Sequence, residues 1–260
     1  MPGFLESIVI LINMLFNQSQ IIAHATASYE LDKQECCGLI LKDGTIQVCD
    51  NKAADYNLDP SLNFAIGYRT NPNWSQVAAV YHSHTNGNGK FTPADVRSCK
   101  ELGLPFVLYD VVHNRFSSID PSGNADYLGR QFCYGVYDCY SLIRDYYRRE
   151  LGIILDDFDR TELFTNGVLD WNTQGWTKII SNYAGQGFVE VDVYGNNLKV
   201  GDLLLMQIGN AESANHLGIF TDAVNQVFMH QLLNHPSKQE VFGHPWDMYT
   251  IKYLRHVSHC

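Results

Sequence analysis

Two mixed α+β (α/β) domains in series are predicted from this sequence, and three observations carry the prediction. In the first half, short apolar runs that read as strands alternate with helical patterns. Asp120-Pro121-Ser122-Gly123-Asn124 then forms a turn-rich stretch suited to a linker. In the second half a helix is followed by a run of strands, the pattern of a separate α+β unit. The expected boundaries are an N-terminal extension at 1–17, a first domain at 18–119, a linker at 120–127 and a second domain at 128–260.

Bulk properties narrow the function classes. A chain of 260 residues is long enough for either one large core or two smaller ones. A hydrophobic content of 45% with 18% charged residues is that of a folded globular protein rather than a disordered one. The net charge of -10 speaks against nucleic acid as a partner, since a binder presents a basic face. Seven cysteines, an odd number without C-x-x-C, make neither a disulfide framework nor a zinc ribbon, and a reducing compartment follows most simply. Phe4 to Phe16 is strongly apolar but includes Glu6 and has no basic residue before it. It is too short for a membrane span or a signal peptide, and Met14 is an alternative start.

Ile21, Ile22, Ala25 and Tyr29 lie at helical spacing, which predicts an amphipathic helix over 18–31. It leads to Glu35, at the start of the apolar run Cys36 to Leu41; Asp43-Gly44 separates that run from Thr45 to Cys49, a hairpin signal. After a polar segment from Asn51 to Asn73, Val77 to Tyr81 reads as a buried strand. Residues two apart share a strand face, so His82 and His84 point the same way. Asp95 follows eleven residues later, past a loop containing Gly87 and Gly89 that is able to fold back. Two imidazoles and a carboxylate form a three-ligand zinc site, with the fourth tetrahedral position left for water. The same residues are also an ordinary helix start, with Thr92 as N-cap, Pro93 first and Asp95 third. Spacing alone leaves both readings open. A helix to about Leu102 and a strand over Phe106 to Val112 complete this half, which ends near Ser118.

Beyond the linker, Asp138 caps a predicted helix through Cys139, Leu142, Ile143, Tyr146 and Tyr147. A helix N-terminus favours thiolate at Cys139, although a small buried cysteine is the commoner role for an isolated one. After a Gly/Asn/Trp-rich middle, Gly201-Asp202 introduces a strand from Leu203 to Gln207. His216 to Phe220 and Val227 to Gln231 form a predicted hairpin around Asp222 to Asn225. With Phe220 paired to Gln226, His216 falls opposite His230, close enough for one ring to orient the other. Cysteine, histidine base and a third polar group are the nucleophile logic of papain-like enzymes; His235 rivals His230 for the third place.

Glu35 before Cys36-Cys37-Gly38-Leu39, then His82-Ser83-His84, then Thr92 and Asp95 three apart, resemble the JAMM (MPN) zinc metallopeptidase family over roughly 18–119. The resemblance implies a β-sheet with flanking helices, with His82, His84 and Asp95 as ligands of one zinc ion that lowers the pKa of its bound water. It implies Glu35 as general base and then general acid, and the Thr92 hydroxyl as an oxyanion donor. Threonine stands where the family usually has serine, and Thr85 replaces a frequent proline.

Tyr134 to Cys139, Gly201 to Leu204 and Asn215 to Phe220 are similar to the NlpC-type cysteine peptidases, over roughly 128–256. That family implies a papain-like domain, its Cys-bearing helix packed on an antiparallel sheet, with Cys139 as nucleophile, His216 as base and His230 orienting it. Tyr140-Ser141 replaces the usual Ser-Gly, and Phe132 stands in the place of a common active-site tyrosine. Asp138 to Tyr147, Leu128-Gly129-Arg130 and Tyr253 to His256 are similar to one subgroup, tail-tip assembly proteins of lambda-like phages, which join the two domains in this order. That resemblance implies other tail-tip proteins and peptidoglycan peptides as partners. It also implies assembly in the host cytoplasm and action from the virion tail tip in the periplasm or cell wall. A host cell-wall peptidase, and a structural component or assembly chaperone with unused sites, are the rival readings.

Overall fold

The computed structural model describes residues 16–67, 71–158, 160, 183–193 and 197–259. Met14 and all but the last residue of the Phe4 to Phe16 stretch lie outside the described residues, as do most of the Gly/Asn/Trp-rich middle and Cys260. The chain divides into two units between Ala125 and Asp126.

In the first unit, helix α1 (Gln18–Asp32) starts where the Asn17 side chain accepts the Ser19 amide. Its buried face, Ile21 and Ala25, packs on Ile40, Ala79, Tyr81, Val107 and Tyr109. Strands β1 (Cys37–Leu41) and β2 (Ile46–Cys49) make the predicted hairpin. Strand β3 (Val77–His84) runs antiparallel to β1, and helix α2 (Pro93–Leu102) carries the chain across to β4 (Phe106–Asp110), parallel to β3. With β5 (Arg115–Ile119) the sheet order is β2-β1-β3-β4-β5. Gly38 lies opposite Tyr81, and a Cβ there would come within 2.4 Å of the tyrosine ring. The missing side chain makes room for the ring, whose hydroxyl lies 3.0 Å from His24 Nδ1.

Two expectations change here. Glu35 precedes the strand, which opens at Cys37; the Glu35 amide donates to the Pro60 carbonyl and its carbonyl accepts from Asn51. The strand expected over Phe106 to Val112 stops at Asp110, whose carboxylate accepts the Val112 and His113 amides and turns the chain into β5. Apolar Val111 and Val112 extend a strand pattern into that turn.

In the second unit, helix α3 (Cys139–Tyr146) continues into a π-helical turn, Tyr147–Leu151. Strands β6 (Phe188–Val191), β7 (Leu203–Met206), β8 (His216–Asp222), β9 (Val227–His230), β10 (Lys238–Val241) and β11 (Thr250–His256) follow, with a short helix α4 (Trp246–Tyr249) before β11. They form an antiparallel sheet in the order β10-β9-β8-β7-β11-β6. Strand alternation explains the unbroken apolar run in β7. Leu203 and Leu205 cluster with Leu142 and Ile143 of α3, whereas Leu204 and Met206 cluster with Phe220 and Phe228. Burying Leu142 and Ile143 fully is worth about 2 kcal/mol each.

The β8–β9 register differs from the one counted in the sequence. Phe220 pairs with Phe228, not Gln226, and Gly218 lies opposite His230. The observed register is two residues from the counted one, so His216 is a diagonal rather than a direct neighbour of His230.

Candidate functional site

The end of β3 builds the first centre. His82 and His84 share a face with their Nε2 atoms 3.3 Å apart, and both rings are buried. Capping geometry at α2 turns Asp95 back toward them, with Oδ1 3.5 Å from His82 Nε2 and Oδ2 3.5 Å from His84 Nε2. Donors at neighbouring corners of a tetrahedron with zinc-like bond lengths stand about 3.3–3.5 Å apart, a spacing the two imidazole nitrogens match, while a different Asp95 oxygen faces each ring and one donor atom from each of the three residues falls within 4.8 Å of the others. His84 Nδ1 lies 2.7 Å from the Asn88 carbonyl, which takes its N–H and leaves Nε2 as a lone pair facing the centre. His82 stacks on Phe64 at 4.3 Å. Glu35 Oε1 is 4.0 Å from His84 Nε2. Burial, with Asp95 and Asp59 adding to it and His84 opposing, pushes the Glu35 carboxyl up to about 8. A cavity of about 930 Å³, lined partly by Leu58, Leu62, Phe64 and Phe106, opens on Thr92 and Asp95.

The second centre lies where α3 begins. Asp138 is the N-cap, and its two carboxylate oxygens accept the Gly135 and Ser141 amides at 2.8 Å each. Cys139 follows as the first helical residue and packs in the same buried cluster as Leu217, one residue past His216. His216 Nε2 lies 2.9 Å from His230 Nδ1, with both rings buried. His235 is exposed, so His230 is the ring that meets His216. Cys139 and His216 are not hydrogen-bonded to each other in this state. Burial foremost, then Asp138, pushes the Cys139 thiol up to about 12. The thiolate expected from the helix N-terminus is therefore not the resting form: desolvation outweighs the amides.

The two centres sit in segments that match two family models, the NlpC/P60 family over 129–255 and prokaryotic homologs of the JAB domain over 17–121. The chain joins a JAB-like domain to an NlpC/P60 domain. It is similar along most of its length to curated proteins called tail tip assembly protein K. The one from Escherichia phage N15 is 29% identical over 245 residues, 91% of this chain and 92% of that protein. The one from Escherichia phage lambda is 28% identical over 183 residues, 70% of this chain and 82% of that protein.

In the JAB-like domain the Thr92 hydroxyl, expected as an oxyanion donor, is bonded to Asp95. Its hydroxyl donates to Asp95 Oδ2 at 2.8 Å and accepts the Asp95 amide at 3.2 Å, and its own amide donates to the same carboxylate oxygen at 2.7 Å. A hydroxyl has one proton to give, and here Asp95 takes it. Three hydrogen bonds thus join Thr92 to Asp95.

The NlpC/P60 domain holds one group that the sequence did not single out. Arg160 is buried, with Nε 2.9 Å from Asp138 Oδ2 and Nη2 2.7 Å from Ser141 Oγ. Nothing local marks it, because it lies 22 residues from its partner. The pair holds the cap that places Cys139. Asp138→Ala is expected to destabilise this domain by about 2–3 kcal/mol, since it removes a cap and one of the two carboxylates paired with a buried guanidinium, Asp157 keeping the other. Hydrogen exchange of α3 peptides across a urea series would show a lowered midpoint for this unit alone.

Proposed function

We propose that this protein is a phage tail-tip component carrying two amide hydrolases. The NlpC/P60 domain is a cysteine endopeptidase that opens peptide cross-links of peptidoglycan. The JAB-like domain is a zinc metallopeptidase that processes a protein partner during tail assembly. The observation that carries the first activity is the His216–His230 pair beside a cysteine at a helix N-terminus.

The Cys139 sulfur attacks the carbonyl carbon of the scissile amide as His216 takes the thiol proton on Nδ1, the ring nitrogen that His230 leaves open. The amine leaves with that proton and a thioester remains, which water then hydrolyses with His216 acting again as base. His230 holds the His216 ring through Nε2.

In the JAB-like domain His82, His84 and Asp95 would hold zinc. A bound zinc ion supplies Lewis acidity and brings the pKa of water to about 7. Glu35, whose Oε1 is 4.0 Å from His84 Nε2, would as a carboxylate take a proton from the attacking water and return it to the leaving amine. Similarity to tail tip assembly protein K across nine-tenths of the chain supports a place among other tail-tip proteins. It also supports assembly in the host cytoplasm, with action in the periplasm or wall on entry. Among the described residues no helix is long and apolar enough to cross a membrane.

A second reading is a structural tail-tip component whose sites are unused. The protonated, buried Cys139, without a hydrogen bond to His216, favours it. Incubation of purified sacculi with the full chain decides between the two. The expected result is soluble fragments with new free amino groups and no new reducing sugar ends. Absence of fragments would leave the structural reading.

A further inference from the structure

We propose that Glu240 is a positioning residue of the NlpC/P60 site, acting through two imidazoles to fix which nitrogen of His216 carries the proton. The inference rests on the reading of Cys139 and His216 as nucleophile and base. It adds what sets the state of the base.

The chain of groups runs inward from the sheet edge. Glu240 lies on β10, next to β9. Its Oε1 is 3.7 Å from His230 Nε2, a buried atom with no closer hydrogen-bonding partner among the described residues. The carboxylate is itself held: Oε2 accepts the Trp246 indole N–H at 2.6 Å, and the Lys238 ammonium contacts Oε1. The His230 ring is confined by Phe228, at 4.8 Å, and by the edge-on Trp246 ring, at 4.6 Å. On its far side His230 Nδ1 meets His216 Nε2.

A neutral imidazole has one N–H and one lone pair, so the state of one end dictates the other. Burial foremost keeps His230 neutral, its pKa lowered to about 4. A carboxylate facing Nε2 draws the His230 proton to that atom. Nδ1 is then a lone pair, and His216 must donate to it from Nε2. That leaves His216 Nδ1 unprotonated, the form that can take a proton from Cys139. Without the carboxylate the opposite arrangement is open: His230 donates from Nδ1, and His216 carries its proton on Nδ1, where it cannot act as base. One acidic side chain at the edge of the sheet thus selects the competent tautomer two rings away.

The test uses the full chain with ¹⁵N-labelled histidine, and long-range ¹H–¹⁵N correlations to assign each ring's tautomer. In wild type, both His216 and His230 are expected to carry the proton on Nε2. Glu240→Ala should move His216 toward the Nδ1–H form and slow Cys139 alkylation by iodoacetamide by about tenfold or more, the scale seen when a group orienting a histidine is lost. Lys252→Ala, which removes the Glu190 ion pair on the same sheet and leaves Glu240 and its partners in place, should change neither. Should Glu240→Ala fail to fold, Glu240→Gln keeps an acceptor for Trp246 without the charge, and a rise in the Nδ1–H form is expected there too. Unchanged tautomers in both Glu240 variants, or an equal shift in Lys252→Ala, would overturn the proposal. The tautomer measurement needs no substrate, so the role of Glu240 is tested even in a chain inactive on sacculi. Fragment release with unchanged tautomers would refute Glu240 alone.

Discussion

Cys139→Ala is expected to abolish fragment release from sacculi, a loss on the order of 10⁴-fold or more, because the nucleophile is gone while the rest of the site stands. The fold should survive, since the thiol is small and its neighbours Leu142, Ile143 and Leu217 fill the same cluster. Equal release by wild type and variant would end the cysteine mechanism. The pH course of the thiol gives a second readout. Burial, then Asp138, raises the thiol, while the Leu217 and Tyr140 amides and Arg160 oppose it, and the outcome is about 12. Only thiolate is alkylated, so iodoacetamide labelling of the resting protein should climb about tenfold per pH unit through neutrality, with no plateau below about pH 10. His216, its pKa driven far down by burial, stays neutral throughout as a base. A plateau near neutral pH would instead mean a preformed thiolate–imidazolium pair and would refute transfer at the moment of attack.

The difference between what could and could not be foreseen follows from the range of the forces involved. His82 and His84 were legible as a pair because strand alternation is local, and Asp95 because a Thr-Pro-x-Asp start is a local capping pattern. Asp138 at the head of α3 was legible for the same reason. The donation of the Thr92 hydroxyl to Asp95 was not, since a rotatable hydroxyl has several acceptors to choose from and only geometry shows which one it meets. The His216–His230 contact was foreseen on a register two residues out; it survives because diagonal neighbours across strands are still within reach of imidazole rings. Arg160 and Glu240 were invisible, as they arrive by tertiary folding from 22 residues beyond Asp138 and from an edge strand whose sequence, Lys-Gln-Glu-Val, is largely polar. Strands β6 and β11 were likewise not anticipated, though both are paired in the sheet.

His84→Ala is expected to take the purified chain from about one zinc ion per molecule to none, read by elemental analysis after dialysis against a weak chelator. His82, His84 and Asp95, with one donor atom each within 4.8 Å of the others, offer a tetrahedral ion three corners; deleting one leaves two, too few for a stable site. His82→Ala should do the same. Thr92→Ala should behave differently, because it removes a support for Asp95 and not a ligand. Zinc should still bind, weakened by about 10–100-fold, with a capping loss of about 1 kcal/mol in α2. Glu35→Gln should keep full zinc, since Glu35 stands 4.0 Å from His84 Nε2 and is not one of the three ligands, yet lose any peptidase activity that the JAB-like domain shows. Unchanged zinc in His84→Ala would remove the metal assignment altogether. Zinc unaffected by Thr92→Ala, with activity lost, would instead restore the threonine hydroxyl to the oxyanion role that its contact with Asp95 argues against.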